Sequence, residues 1–234
     1  MFRAYMYKLL RSLLLYIAFV GTFIICLSKL TFFLNSGNVA SEIDMLLNLN
    51  GLRKIMPVFA ALPFAANFAE EWNNDITISI ITRSSVTKYA VANVVICFVS
   101  GLVAVFIPIV LFAFGYSFSL PVSGDDYYPM PYGVFVEQGL PFLYIICNAF
   151  VYAACAAMWA VMGLMLSAFF VNKYAAICSP LIAGYVIERF AMQLPDPLNI
   201  WYISVSNLRW DSALGQFLYS MGFFAGISAI CGII

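Results

Sequence analysis

Histidine is missing from all 234 residues, and charged side chains make up 9% of the chain where a soluble domain carries about 25%. Without histidine, a serine nucleophile has no imidazole base and an H-E-x-x-H zinc site cannot be built. No two aspartates fall inside apolar runs, which argues against an intramembrane aspartyl protease. No G-x-x-x-x-G-K-[ST] sequence or other phosphate-cradling glycine loop occurs, so nucleotide hydrolysis by this chain is not expected. The six cysteines (Cys26, Cys97, Cys147, Cys155, Cys178 and Cys231) lie in apolar runs without a C-x-x-C pair, as small core hydrophobes do. Excess charge of one sign is also lacking: 11 basic residues balance 11 acidic ones, leaving no electrostatic footprint for nucleic acid. Catalytic, cofactor and metal sites are therefore not expected.

What is present is hydrophobicity, at 64% of residues with 17% aromatic. A membrane-crossing helix needs about 20 apolar residues. That ruler predicts one all-α polytopic membrane domain over residues 1–234, with six spans near 12–34, 52–69, 88–118, 139–170, 174–194 and 213–234. Pro57 and Pro63 interrupt the second span, and Pro108 should kink the third by removing a backbone hydrogen bond. The run from Leu13 to Leu34 is too long for a cleaved signal segment and is taken as a retained span. Arg3, Lys8 and Arg11 precede the first span without an acid, while the loop 121–138 between spans three and four holds three acids and no base. Positive charge marks the cytoplasmic side, so the N-terminus is placed in the cytoplasm.

Residues 2–11, FRAYMYKLLR, set Arg3, Lys8 and Arg11 on one arc and Phe2, Tyr5, Met6 and Leu9 on the other. This predicts an amphipathic helix in the headgroup layer of the lipid bilayer; a basic start to the first span is the alternative. The aromatic segment 195–212, with Trp201, Tyr202 and Trp210, reads either as short helices re-entering the bilayer or as an interfacial belt. Charges at membrane depth default to a functional role. Lys29, Glu188 and Arg189 stand there, as snorkelling side chains or as members of a polar path. Gly222 and Gly226 form a G-x-x-x-G pattern that permits close helix packing, within the chain or between chains.

Residues 70–89, EEWNNDITISIITRSSVTKY, are too apolar for a solvated linker. As a helix, this stretch places Ile76 and Ile80 on one face, broadened by Ile81. Glu71-Trp72, the run Ile76 to Ile81, Thr82-Arg83-Ser84 and Lys88-Tyr89 resemble the loop after span two in permease subunits of the ABC-2 type family of ABC transporters. That loop runs acid-aromatic, glycine, apolar helix, Thr-Arg-Pro-like turn, then a basic-aromatic entry to span three. Asp75 stands where glycine is usual, Ser84 where proline is usual, and Asn93 near a position often occupied by lysine. Gly163 to Ser167, Asn172 to Ala175 and Ser179-Pro180-Leu181 are similar to the end of span four, the inner loop and the start of span five.

The resemblance implies a permease subunit, an exporter component in a bacterial plasma membrane, that forms a translocation path with a second permease chain, identical or related. It implies separate ABC ATPase subunits carrying ATP and magnesium, docked on a cytoplasmic coupling helix. Ile76, Ile80 and Ile81 would be its apolar contacts, beside Trp72, with Glu70, Glu71 and Arg83 as the polar rim. From the residues alone, an ion-coupled secondary transporter or a non-transporting membrane scaffold subunit remains the alternative.

Overall fold

The computed structural model describes residues 2–33, 37–48, 50–124, 132–191, 193–205 and 212–233. Among them every regular element is helical. Helix α1 (Phe2–Leu10) bends by 56° into α2 (Leu13–Phe33). Then follow α3 (Val39–Asn48), α4 (Asn50–Ala61), α5 (Asn67–Asn73), α6 (Ile76–Arg83), α7 (Val86–Tyr116) and α8 (Gly133–Glu137). The chain continues through α9 (Pro141–Phe169), α10 (Lys173–Ala191), a 3-10 turn at Asp196–Leu198, α11 (Ile200–Val205) and α12 (Ala213–Ile233).

Three of these helices, α7, α9 and α12, are long and apolar enough to cross a bilayer, and α1 with the first part of α2 makes a fourth if the bent pair counts as one. The shorter apolar stretch Lys173–Ile187 belongs to α10. Such helices fit a helical membrane protein, because a span must satisfy its backbone hydrogen bonds within itself. The apolar run expected at 52–69 does not form one continuous helix. It ends as α4, turns through residues 62–66, and resumes as α5. Proline at 63 disfavours helical geometry at Leu62 and supplies no N–H of its own, which accounts for the break. With 12 residues, α4 extends only about 18 Å. Pro57 and Pro108, by contrast, are accommodated inside α4 and α7.

Helix α9 is the hub. Residues 151–161 are buried without exception, and α7, α10, α12 and α4 all pack on α9. Its small side chains allow this approach. A β-carbon added at Gly163 would come within 2.5 Å of the Ala176 carbonyl oxygen on α10. One added at Gly101 of α7 would lie 3.0 Å from the Ala60 carbonyl oxygen and 3.2 Å from Ala157 Cα. The small-residue faces of α7 and α9 are thus spent on contacts inside the chain.

Gly222 and Gly226 of α12 behave differently. Both are exposed, with open space where a β-carbon would project. The inward face of α12 is instead Gln216, Ser220, Phe224 and Ser228, a four-residue repeat. Between residues 195 and 212 the described part is helical, and Ile200, Ile203 and Ser204 are buried there. The side chains of Trp201 and Tyr202, and all of Trp210, lie outside the described residues. No disulfide joins the cysteines: Cys26, Cys97, Cys155 and Cys231 are buried, Cys147 is half-buried and Cys178 is exposed.

Candidate functional site

The segment 67–89 folds as helix, turn, helix, turn and helix. After α5 the chain reverses at Asp75, which adopts left-handed backbone (φ 57°) and leads directly into α6. Glycine enters that region without strain, and aspartate is among the few other residues that tolerate it. At the far end of α6, the Ser84 N–H donates to the carbonyl oxygen of Ile80 (3.0 Å) and its hydroxyl donates to the same oxygen (2.9 Å). A proline at 84 would forfeit the first bond and could not hold the φ of −134° seen there. Ser85 then caps α7, its side chain accepting from the Lys88 N–H at 3.3 Å.

The isoleucines of α6 divide between two faces. Thr77 is buried, and Ile80 and Ile81 pack against the chain's own core. Ile76 and Ile78 point outward at 43% and 62% exposure, as does Trp72 on α5. The expected single face of Ile76, Ile80 and Ile81 is therefore split. The residues open to a partner are Trp72, Ile76 and Ile78, with Glu70 and Arg83 exposed beside them.

Glu71 is not on that polar rim. It is 3% exposed, and its Oε2 accepts hydrogen bonds from Tyr5 (2.9 Å) and Tyr89 (2.8 Å). The Lys8 ammonium lies 3.4 Å from its Oε1 and also donates to the Asn67 side-chain carbonyl. Asn67 donates in turn to the Asn93 side-chain oxygen (3.0 Å), and the Asn93 amide donates to the Tyr89 carbonyl (3.2 Å). A buried carboxylate needs such partners, since an unpaired charge away from water is costly. Burial, and then the charge of Glu71, raises the pKa of the Tyr5 phenol above its ordinary value, which keeps Tyr5 a donor.

This network joins α1, α5 and α7 at one end of the bundle. The apolar arc of α1 is used in the same way: Tyr5 and Leu9 are buried, and the Tyr5 ring meets Phe64 edge-on at 5.7 Å. Arg3, Tyr7 and Arg11 face outward, with the Arg11 guanidinium 4.3 Å from the centre of the Tyr7 ring. Sequence reasoning placed Tyr5 and Lys8 on opposite arcs of α1 and did not connect either with Glu71. The available signal was an amide side chain in each of two apolar runs, Asn67 and Asn93.

The remaining candidates are dispersed. Lys29 lies on α2 and Glu188 on α10, but their side chains fall outside the described residues. Arg189 is exposed on α10. Among the described residues no cluster of three or more His, Cys, Asp or Glu side chains forms a metal-binding group. Comparison with protein-family models, with curated proteins and with solved structures finds no match for the chain.

Proposed function

We propose that this chain is the membrane-spanning permease subunit of an ATP-driven ABC-2 type transporter, working as an exporter component in a bacterial plasma membrane. The observation that carries this reading is α6, an eight-residue helix that offers Ile76 and Ile78 outward while Ile80 and Ile81 anchor it to the bundle. A helix held this way is a suitable lever. Force applied to its outer face passes through Glu71 to α1 and along α7, the longest apolar helix among the described residues. The left-handed backbone at Asp75 supports the reading, because that is where the resembled family carries glycine.

In this proposal the chain crosses the membrane six times, with the broken α4–α5 segment as the second crossing, and its N-terminus is cytoplasmic. Helix α1 lies at the inner surface with Arg3 and Arg11 toward anionic headgroups. Two ATPase subunits bind ATP and magnesium, and this chain hydrolyses no nucleotide itself. A second permease chain completes the translocation path.

Co-expression with the cognate ABC ATPase tests the assignment. A stable complex is expected, and Ile76→Asp combined with Ile78→Asp should abolish co-purification while leaving the purified chain folded. Retained binding by that double variant rejects α6 as the docking helix. Transport driven by a proton or sodium gradient without ATP rejects the ABC reading altogether.

A further inference from the structure

Where α1 meets the turn between α4 and α5 there is a cleft apart from the outward face of α6. One wall is Lys8, Ser12 and Leu14, around the bend between α1 and α2; the other is residues 62–64 of the turn and Glu70 of α5. It holds about 360 Å³, counting the space open at its mouth, near the lower limit of the range usual for small-ligand sites, about 300–1,000 Å³. A lipid headgroup fits across such an opening and a whole lipid does not. Glu70 reaches the cleft from the side of α5 opposite Trp72.

Depth and unused polar groups specify what fits. The cleft sits where the apolar run of α2 begins at Leu13 and where α4 gives way to α5. In a membrane-embedded chain that level is the boundary between hydrocarbon and headgroups. Three polar groups there have bonding capacity left. Asn67 and Glu71 account for two N–H groups of the Lys8 ammonium; a third remains, and the side chain is 48% exposed. Among the described residues, the Ser12 hydroxyl and the Glu70 carboxylate make no hydrogen bond or ion pair. Glu70 is exposed and Ser12 half-buried, so both are reached from the mouth. A cation and a hydroxyl on one wall thus face a carboxylate on the other, with Lys8 and Glu70 too far apart to pair directly. A ligand that bridges them must itself carry both charges.

We propose that this cleft binds the zwitterionic headgroup of an aminophospholipid, phosphatidylethanolamine in its chemistry. The phosphate accepts from the Lys8 ammonium and the Ser12 hydroxyl, and the headgroup ammonium donates to the Glu70 carboxylate. The acyl chains pass Leu14 and run toward Ile17, which lies one turn further along α2 and is exposed. Phosphatidylcholine has no N–H to donate to Glu70, and phosphatidylglycerol has no cation, so the site discriminates among the three. It requires only that the chain be membrane-embedded, and it stands whether or not α6 docks an ATPase.

The test is native mass spectrometry of the full chain in detergent, titrated with phosphatidylethanolamine, phosphatidylcholine and phosphatidylglycerol of identical acyl chains. Phosphatidylethanolamine should bind about 3–10-fold more tightly than either, the worth of one partly exposed charge-assisted hydrogen bond. Glu70→Lys should abolish that preference and favour phosphatidylglycerol. Glu137→Lys, the same charge change at an exposed residue of α8, should leave the preference intact. Both residues are exposed, so neither change disturbs the bundle. Ser12→Ala, which removes a phosphate donor, should weaken phosphatidylethanolamine about 2–5-fold. Equal binding of the three lipids by the parent chain overturns the proposal, as does a preference that Glu70→Lys leaves in place, that Glu137→Lys removes equally, or that Ser12→Ala leaves at parent affinity. So does displacement of the lipid by soluble O-phosphoethanolamine at matched concentration, which would make this a site for a soluble zwitterion. No ATPase enters the experiment, so its outcome is separate from that of the α6 docking test.

Discussion

The Tyr5 hydroxyl donates a 2.9 Å hydrogen bond to Oε2 of Glu71, closing a contact across 66 residues of chain. Tyr89 donates to the same oxygen from the start of α7. One carboxylate oxygen thus holds three helices in register.

Removing that acceptor should be costly. Glu71→Leu leaves the buried Tyr5 and Tyr89 phenols without their acceptor, at about 1–3 kcal/mol for each orphaned group. Glu71→Gln keeps one acceptor oxygen and should cost less, about 1–2 kcal/mol, the difference between a charged and a neutral hydrogen bond. Thermal unfolding of the detergent-solubilised chain measures both. In a double-mutant cycle, Tyr5→Phe should cost markedly less in the Glu71→Leu background than alone.

At Asp75 the backbone rather than the side chain sets the expectation. Asp75→Gly should leave stability unchanged or raise it by up to about 1 kcal/mol, since glycine enters left-handed backbone freely. Asp75→Val should lose about 1–2 kcal/mol or more, because a β-branched side chain resists that conformation. Denaturant midpoints of the two variants, compared with the parent, decide the sign.

Close packing and open space should separate the glycines. Gly163→Ala forces a β-carbon against the Ala176 carbonyl and should destabilise by about 1–3 kcal/mol. Gly222→Ala and Gly226→Ala meet nothing within 4 Å and should stay within about 0.5 kcal/mol of the parent in the isolated chain. Equal melting temperatures for all three would contradict the packing of α9 on α10.

The two faces of α6 should respond differently to charge. Ile78→Asp, on the outward face, should leave folding within about 0.5 kcal/mol of the parent. Ile80→Asp places a carboxylate against the core and should cost more than about 2 kcal/mol. Limited proteolysis of the 74–85 segment reads the contrast directly.

Much of the fold was legible from local chemistry. Helices α2, α7, α9, α10 and α12 follow from apolar runs and end within a few residues of the expected bounds, and of these α7, α9 and α12 are by themselves long and apolar enough to cross a bilayer. Helix α6 was legible because its apolar spacing and flanking polar turns act within one or two helical turns. The break at Pro63 has the same local origin, in a second span that Pro57 and Pro63 were expected to interrupt.

The candidate site was legible only in part. Residues 70–83 drew attention as an oddly apolar stretch, and Trp72, Ile76, Glu70 and Arg83 do lie on its exposed side. Glu71 looked like its neighbour Glu70, and nothing within the segment separates them. One is buried because Tyr5, Lys8 and Tyr89 converge on it; the other meets no such set.

The sequence by itself determined that this chain builds apolar helices, where a proline stops one, and that a short helix follows Glu71-Trp72, because composition, proline and helical periodicity act over a few residues. Which face of α6 turns inward, which carboxylate is buried and which glycines are crowded were decided by the tertiary structure. Helical periodicity assigns residues to faces, but a face becomes core or surface only when distant helices arrive against it.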